Sequence, residues 1–172
     1  MAEPPLVFVD ACVYLDLITR NSIDVHRETG EPRWKSAAQV FTSIESGDAR
    51  LAASSLVAAE VLVNGETRRR RKRSAAVERN VQSWFSSPNT VWSDIDRLLA
   101  QDAEKLTEDY GHLRADRNNK LRSADALHLA AAVRMDCDFL MTHDGGFPIG
   151  HQINKTRIVR PGAFWQQSLT GL

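Results

Sequence analysis

Four acidic residues, Asp10, Glu60, Asp125 and Asp144, have the types and settings that could do chemistry. Asp10 ends LVFVD, Glu60 lies inside SSLVAAEVLVN, Asp125 follows the start of SADALHLAAA, and Asp144 closes FLMTHD. Each follows an apolar strand-like run or sits in a helix-like segment with apolar neighbours, where a carboxylate is costly unless something compensates it. Brought together, they would make a site for a hard divalent cation, which takes oxygen ligands and keeps waters that a phosphate can displace. Such ions activate water and stabilise the leaving oxygen of a phosphodiester. The pattern points to a metal-dependent hydrolase, with a nuclease as the leading case.

The elements that must position these acids follow from periodicity. The run 6–9 (LVFV) reads as a strand buried on both faces, so Asp10 falls at its carboxyl end. A helix follows to about Thr19, and the polar stretch NSIDVHRETGEPR reads as a loop. Ala37, Val40, Phe41 and Ile44 mark one face of a second helix, stopped by Gly47. A short strand over 49–54 leads to a helix capped by Ser54 or Ser55 and running to Asn64. Leu56, Val57 and Val63 flank Glu60 at helical spacing, which predicts a core-facing carboxylate that needs a cation or strong donors.

Beyond the basic run TRRRRKR, Val77, Val81 and Trp84 keep a helical beat. Val91 and Trp92 suggest a brief strand, Asp94 a cap for a helix ended by Gly111, and Ser123 a cap for SADALHLAAAVRM. Segments 138–142 and 157–160 read as further strands, and PGAFWQQSL as a last helix. Strands alternating with helices predict a three-layer α/β/α sandwich with a mainly parallel central sheet. Ligands bind such sheets beyond the carboxyl ends of the strands, where strand order reverses. Asp10 and Asp144 both stand at such ends. Asp125, in the first turn of its helix, meets unpaired amides and a dipole that favour the ionised form, ready for metal at neutral pH.

Taken singly, each acid has a structural explanation. Asp125 suits a first-turn stabiliser, Asp144 before two glycines a turn, Asp10 a cap, and Glu60 an ion pair. The conjunction carries the functional reading, with Asp10 and Asp125 as principal ligands, Asp144 next, and Glu60 the carboxylate whose burial most needs the metal. His128, one turn after Asp125, reads as a packing residue that could turn one face to the site. His143 is placed to touch phosphate. His26, His112 and His151 lie in polar segments and suggest nothing particular, and Asp16 and Asp94 are candidate accessory acids that surface charge and helix capping also explain.

At 172 residues and 42% hydrophobic content, the chain fits one domain, 1–172. Lys plus Arg and Asp plus Glu each total 22, so any nucleic-acid contact must be local. Two basic clusters offer it: Arg68 to Arg73, and Arg114, Arg117, Lys120 and Arg122 just before Asp125. Cys12 and Cys137 read as small buried hydrophobes in a reducing compartment. The first residues lack the pattern of a signal peptide, and no apolar run reaches membrane-spanning length. A cytoplasmic protein without membrane association is expected.

In this order, LVFVDACVYLDL, SSLVAAEVL, LRSADALHLAAA and DFLMTHDGGF resemble the successive acid-bearing blocks of a PIN-domain ribonuclease, of the VapC type that serves as toxin in VapBC toxin–antitoxin pairs. The likeness spans roughly residues 6 to 161. It implies Mg²⁺ or Mn²⁺ held by Asp10, Glu60, Asp125 and Asp144, support from the Thr142 hydroxyl, endonucleolytic cleavage of RNA, a cognate antitoxin and a homodimer. Cys12 stands where many relatives carry Asn, and the loop from Asn21 to Lys35 is long for the group. A housekeeping PIN nuclease and a non-catalytic PIN-like nucleic-acid-binding module are the alternatives. A haloacid-dehalogenase-like phosphatase would need an acid at position 12, and a receiver-like domain a Lys after a late strand. Neither is present.

Overall fold

The computed structural model of the protein describes residues 3–63 and 75–163. Six strands, β1 Leu6–Val9, β2 Arg50–Ser54, β3 Val91–Ser93, β4 Phe139–Met141, β5 Gln152–Ile153 and β6 Thr156–Val159, form one sheet in the order β3-β2-β1-β4-β6-β5. All neighbouring strands are parallel except β5 and β6. The described α-helices are α1 Ala11–Thr19, α2 Arg33–Glu45, α3 Ser55–Val63, α4 Ala75–Ser86, α5 Arg97–Tyr110 and α6 Ser123–Arg134. Every residue of β1 and β4 is buried, as a parallel strand covered on both faces requires. Helix α1 packs on α2, α3 and α4, while α5 packs on α6. The layers are those of the expected α/β/α sandwich, and Phe8, Leu140, Ile158, Tyr14 and Leu129 are among its fully buried side chains.

Strand order reverses across β1, which pairs with β2 on one side and β4 on the other. The register Val9↔Met141 sets the carboxyl ends of β1 and β4 side by side. That is where an open α/β sheet leaves a crevice.

Several boundaries differ from the sequence expectation. Helix α5 is capped by Asp96, whose Oδ1 accepts the Leu99 N–H at 2.7 Å, and not by the exposed Asp94. Ser123 is the first residue of α6 and Arg122 holds the cap position. Strand β5 was not anticipated: two residues turning through Asn154 (φ 51°) into β6 are too short for a periodic signal. Of the tryptophans, Trp84 stacks on Phe41 while half-buried, Trp34 lies under Arg20, and Trp92 is exposed, so none of these is a fully buried core residue. The run Arg68 to Arg73, Trp165 and most of PGAFWQQSL lie outside the described residues. Among the described residues, no helix is long and apolar enough to cross a membrane.

Candidate metal centre

Asp10 occupies the N-cap position of α1 with an extended backbone, yet its carboxylate makes no capping bond. The capping explanation therefore fails for it. Its Oδ2 instead accepts the Thr142 hydroxyl at 2.7 Å and the Cys12 thiol at 3.2 Å. Thr142 is wholly buried at the end of β4, and its Oγ1 also accepts the Asp144 N–H at 3.0 Å. One hydroxyl thus aligns the two acids that end β1 and β4. The backbone reinforces this, with Asp10 N–H on the Met141 carbonyl and Thr142 N–H on that of Val159, both at 3.0 Å.

Glu60 arrives from α3, whose first turn is capped by Ser54 Oγ accepting the Val57 N–H at 3.2 Å. The buried stripe of α3 is Val57 and Val61, and Val63 is exposed, so Glu60 sits at the stripe's edge. Its side chain is 32% exposed, whereas that of Asp10 is 8% exposed. This corrects the expectation that Glu60 is the acid most in need of a counter-charge. Asp10 is the buried one. Oε2 of Glu60 lies 2.8 Å from Nε2 of His128, which is 4.0 Å from Oδ1 of Asp10.

His128 is buried, a functional-site candidate where the sequence suggested chiefly a packing residue. The available signal was its position one turn after Asp125. Burial pushes its pKa down, but the hydrogen bond to Glu60 and the charges of Asp10, Glu60 and Asp125 outweigh this and leave it above its ordinary value. One ligand atom each from Asp10, Glu60 and His128 falls within a cluster whose members are all within 4.8 Å of one another.

Asp125 and Asp144 flank this cluster with one carboxylate oxygen each already committed. Oδ2 of Asp125 accepts the Arg122 N–H at 3.0 Å, and Oδ1 of Asp144 accepts the Gly146 N–H at 2.7 Å. The first-turn and turn roles therefore hold for these two, alongside whatever else they do. Asp125 does not behave as its helix position suggested. Burial, with the charges of Asp144 and Asp10, pushes its pKa up to about 6 despite the Arg122 N–H and His128. Desolvation and like charge exceed the help from the helix start.

Other expectations change with the tertiary contacts. His143 is buried rather than open to phosphate, its ring edge-on to His26 at 5.1 Å. His26 is buried too, with Nε2 3.1 Å from the Pro161 carbonyl. Asp16 is half-buried, not a surface charge. Cys137 is buried as expected, whereas Cys12 is half-buried at the rim of the acids; neither is in a disulfide.

The donor set brought together among the described residues, the carboxylates of Asp10 and Glu60 and an imidazole nitrogen of His128, fits a divalent cation, and it leaves Asp125, expected as a principal ligand, and Asp144 outside the group. The sequence profile of the PIN domain matches residues 7–149, and the chain belongs to that family. PIN domains are generally nucleases that use divalent metals. No curated protein matches the chain significantly. Among solved structures, the chain is similar to one described as a toxin–antitoxin complex from Klebsiella pneumoniae, at 17% identity and a TM-score of 0.54, covering 90% of this chain and 97% of that one. At that identity the likeness shows the fold.

Proposed function

We propose that the protein is an endoribonuclease dependent on Mg²⁺ or Mn²⁺, acting as the VapC-type toxin of a toxin–antitoxin pair. The observation that carries this reading is the convergence of Asp10, Glu60 and His128 at the strand-order switch of a PIN domain. Asp10, Glu60, Asp125 and Asp144 are the proposed metal-holding and catalytic carboxylates. A divalent ion held among them would supply Lewis-acid stabilisation of the phosphodiester and would acidify the attacking water.

The chain's own groups do the positioning. Thr142 holds one oxygen of Asp10, leaving Oδ1 turned toward His128. The Gly146 and Arg122 amides each hold one oxygen of Asp144 and Asp125, so both carboxylates are pre-oriented before any ligand arrives. In the metal-free protein His128, carrying a proton more readily than an ordinary histidine, offsets the mutual repulsion of Asp10 and Glu60. The toxin assignment and an antitoxin partner draw support from the fold shared with the toxin–antitoxin complex; a homodimer, a cytoplasmic location and one domain over 1–172 belong to the same proposal.

The test is cleavage of a labelled single-stranded RNA by wild type, Asp10→Asn and Asp125→Asn in Mn²⁺, with a chelator control. Cleavage that stops in both variants and with chelator supports the reading. Undiminished cleavage by both folded variants sinks it, and RNA binding without cleavage by wild type favours a non-catalytic module. Harmless expression beside active cleavage favours a housekeeping nuclease over a toxin.

A further inference from the structure

The segment joining α5 to α6 spans the two flanking acids. At one end, Ala115 N–H bonds the Phe147 carbonyl at 3.0 Å and Asp116 N–H bonds that of Gly145 at 2.8 Å, fixing it to the turn that carries Asp144. At the other end, Arg122 N–H sits on the Asp125 carboxylate. The approach is close enough to need glycine. A Cβ on Gly145 would lie 2.6 Å from Cβ of Asp116, and one on Gly146 would overlap the Lys120 carbonyl.

This anchored segment carries Arg114, Arg117, Lys120 and Arg122, none of them buried. Among the described residues none of the four side chains forms an ion pair, whereas Arg27, Lys35, Arg50, Arg134, Lys155 and Arg160 each do. The segment's single acid, Asp116, is already engaged by Arg27 at 3.4 Å and by the Asn118 N–H. Four like charges within nine residues repel one another and contribute nothing visible to folding. They are left free beside an acid cluster that would itself repel a polyanion.

We propose that this segment is the phosphate-binding track for single-stranded RNA, setting the strand against the acid cluster through Arg114, Arg117, Lys120 and Arg122. The inference rests on the nuclease reading for its choice of ligand. Phosphate neutralisation by such cations gives affinity and register without reading sequence. The glycines keep the track at a fixed offset from Asp144, so Gly145 acts as a positioning residue.

The experiment measures binding of a fluorescein-labelled oligouridylate to the full-length protein by anisotropy, in EDTA and across a range of NaCl. Each phosphate that is no longer neutralised lowers the slope of log affinity against log salt by about 0.7. The variant R114S/R117S/K120S/R122S is expected to reduce that slope by roughly 2 to 3, and to bind at least about tenfold more weakly near 0.1 M salt. Arg134→Ser, whose guanidinium serves Asp96 and Asp102, should leave the slope unchanged. Gly145→Ala keeps the cations but should reduce the slope by displacing the track.

An unchanged slope in the folded quadruple variant overturns the proposal. So does loss of oligoglutamate binding with RNA binding intact, which would make the segment a dock for an acidic peptide. Chelator-sensitive cleavage with an unchanged slope removes the track and spares the nuclease. A reduced slope without any cleavage removes the nuclease and spares the track.

Discussion

Nε2 of His128 stands 2.8 Å from Oε2 of Glu60, a contact between residues 68 apart in sequence that joins α6 to α3 over the end of β1. Its pKa is raised, since the carboxylates outweigh burial, so its proton stabilises the metal-free protein. A histidine raised in the folded state contributes fully below its unfolded pKa and loses that contribution as pH rises through the folded one. In chelator, wild type should exceed His128→Gln in stability by about 1 kcal/mol at pH 5, the value being modest because Glu60 is a third exposed. The advantage should fade at alkaline pH. Denaturant midpoints at both pH values check this, and an advantage that grows with pH would refute it.

Thr142 has a different kind of leverage, since its hydroxyl donates to Asp10 and accepts from the Asp144 amide within a wholly buried position. Thr142→Val keeps the shape but strips a hydrogen bond from a buried carboxylate, at a cost of about 2–4 kcal/mol. Thr142→Ser, which keeps the hydroxyl, should cost about 1 kcal/mol or less. Urea unfolding separates them. A larger loss for Thr142→Ser than for Thr142→Val would show that the methyl, not the hydroxyl, matters.

Both thiols should be unreactive in the folded protein. Cys12 donates to Asp10, and burial together with that carboxylate pushes its pKa well above the ordinary value. Burial pushes Cys137 up to about 12. Only the thiolate is nucleophilic. Titration with a disulfide reagent at pH 7.5 should therefore detect almost no thiol before denaturation and two afterwards; rapid native reaction of Cys12 would contradict the Asp10 contact.

What is legible in the sequence divides along contact range. Asp10 and Asp144 can be placed because a strand run and its end are local signals, and the parallel sheet follows from the alternation of elements. The local reading of Glu60 goes too far: apolar neighbours do not decide which face α3 buries, and Val57 and Val61 take it. His128 and Asp16 escape a local reading because their surroundings come from distant segments. Glu60 and Asp10 face His128, while Arg33 and Asp24 reach Asp16 from beyond the end of α1. For Asp125 the helix start is legible, but the neighbouring acids that raise its pKa become visible only once β1 and β4 are side by side.

Asp16 gives the sharpest pH test. Its side chain is 14% exposed, Oδ2 has no hydrogen-bond partner among the described residues, and the nearest imidazole, His143 at 3.8 Å, is itself pushed down to about 3 by burial and by Arg33, His26 and Arg160. Burial, aided by Asp24 and Asp10 and opposed by Arg33, pushes Asp16 up from 3.8 to about 7. The folded protein then holds a proton that the unfolded chain releases near 3.8, so this stabilisation is complete below that pH and lost as pH rises through about 7. Asp16→Asn removes the titration. Its stability relative to wild type should rise between pH 4 and 8, by no more than about 4 kcal/mol at roughly 1.4 kcal/mol per pH unit. His143 has the opposite pH slope, but it is present in both proteins and cancels in the comparison. A flat difference curve, measured by chemical denaturation in chelator, would mean that Asp16 is ionised and solvated in the folded state.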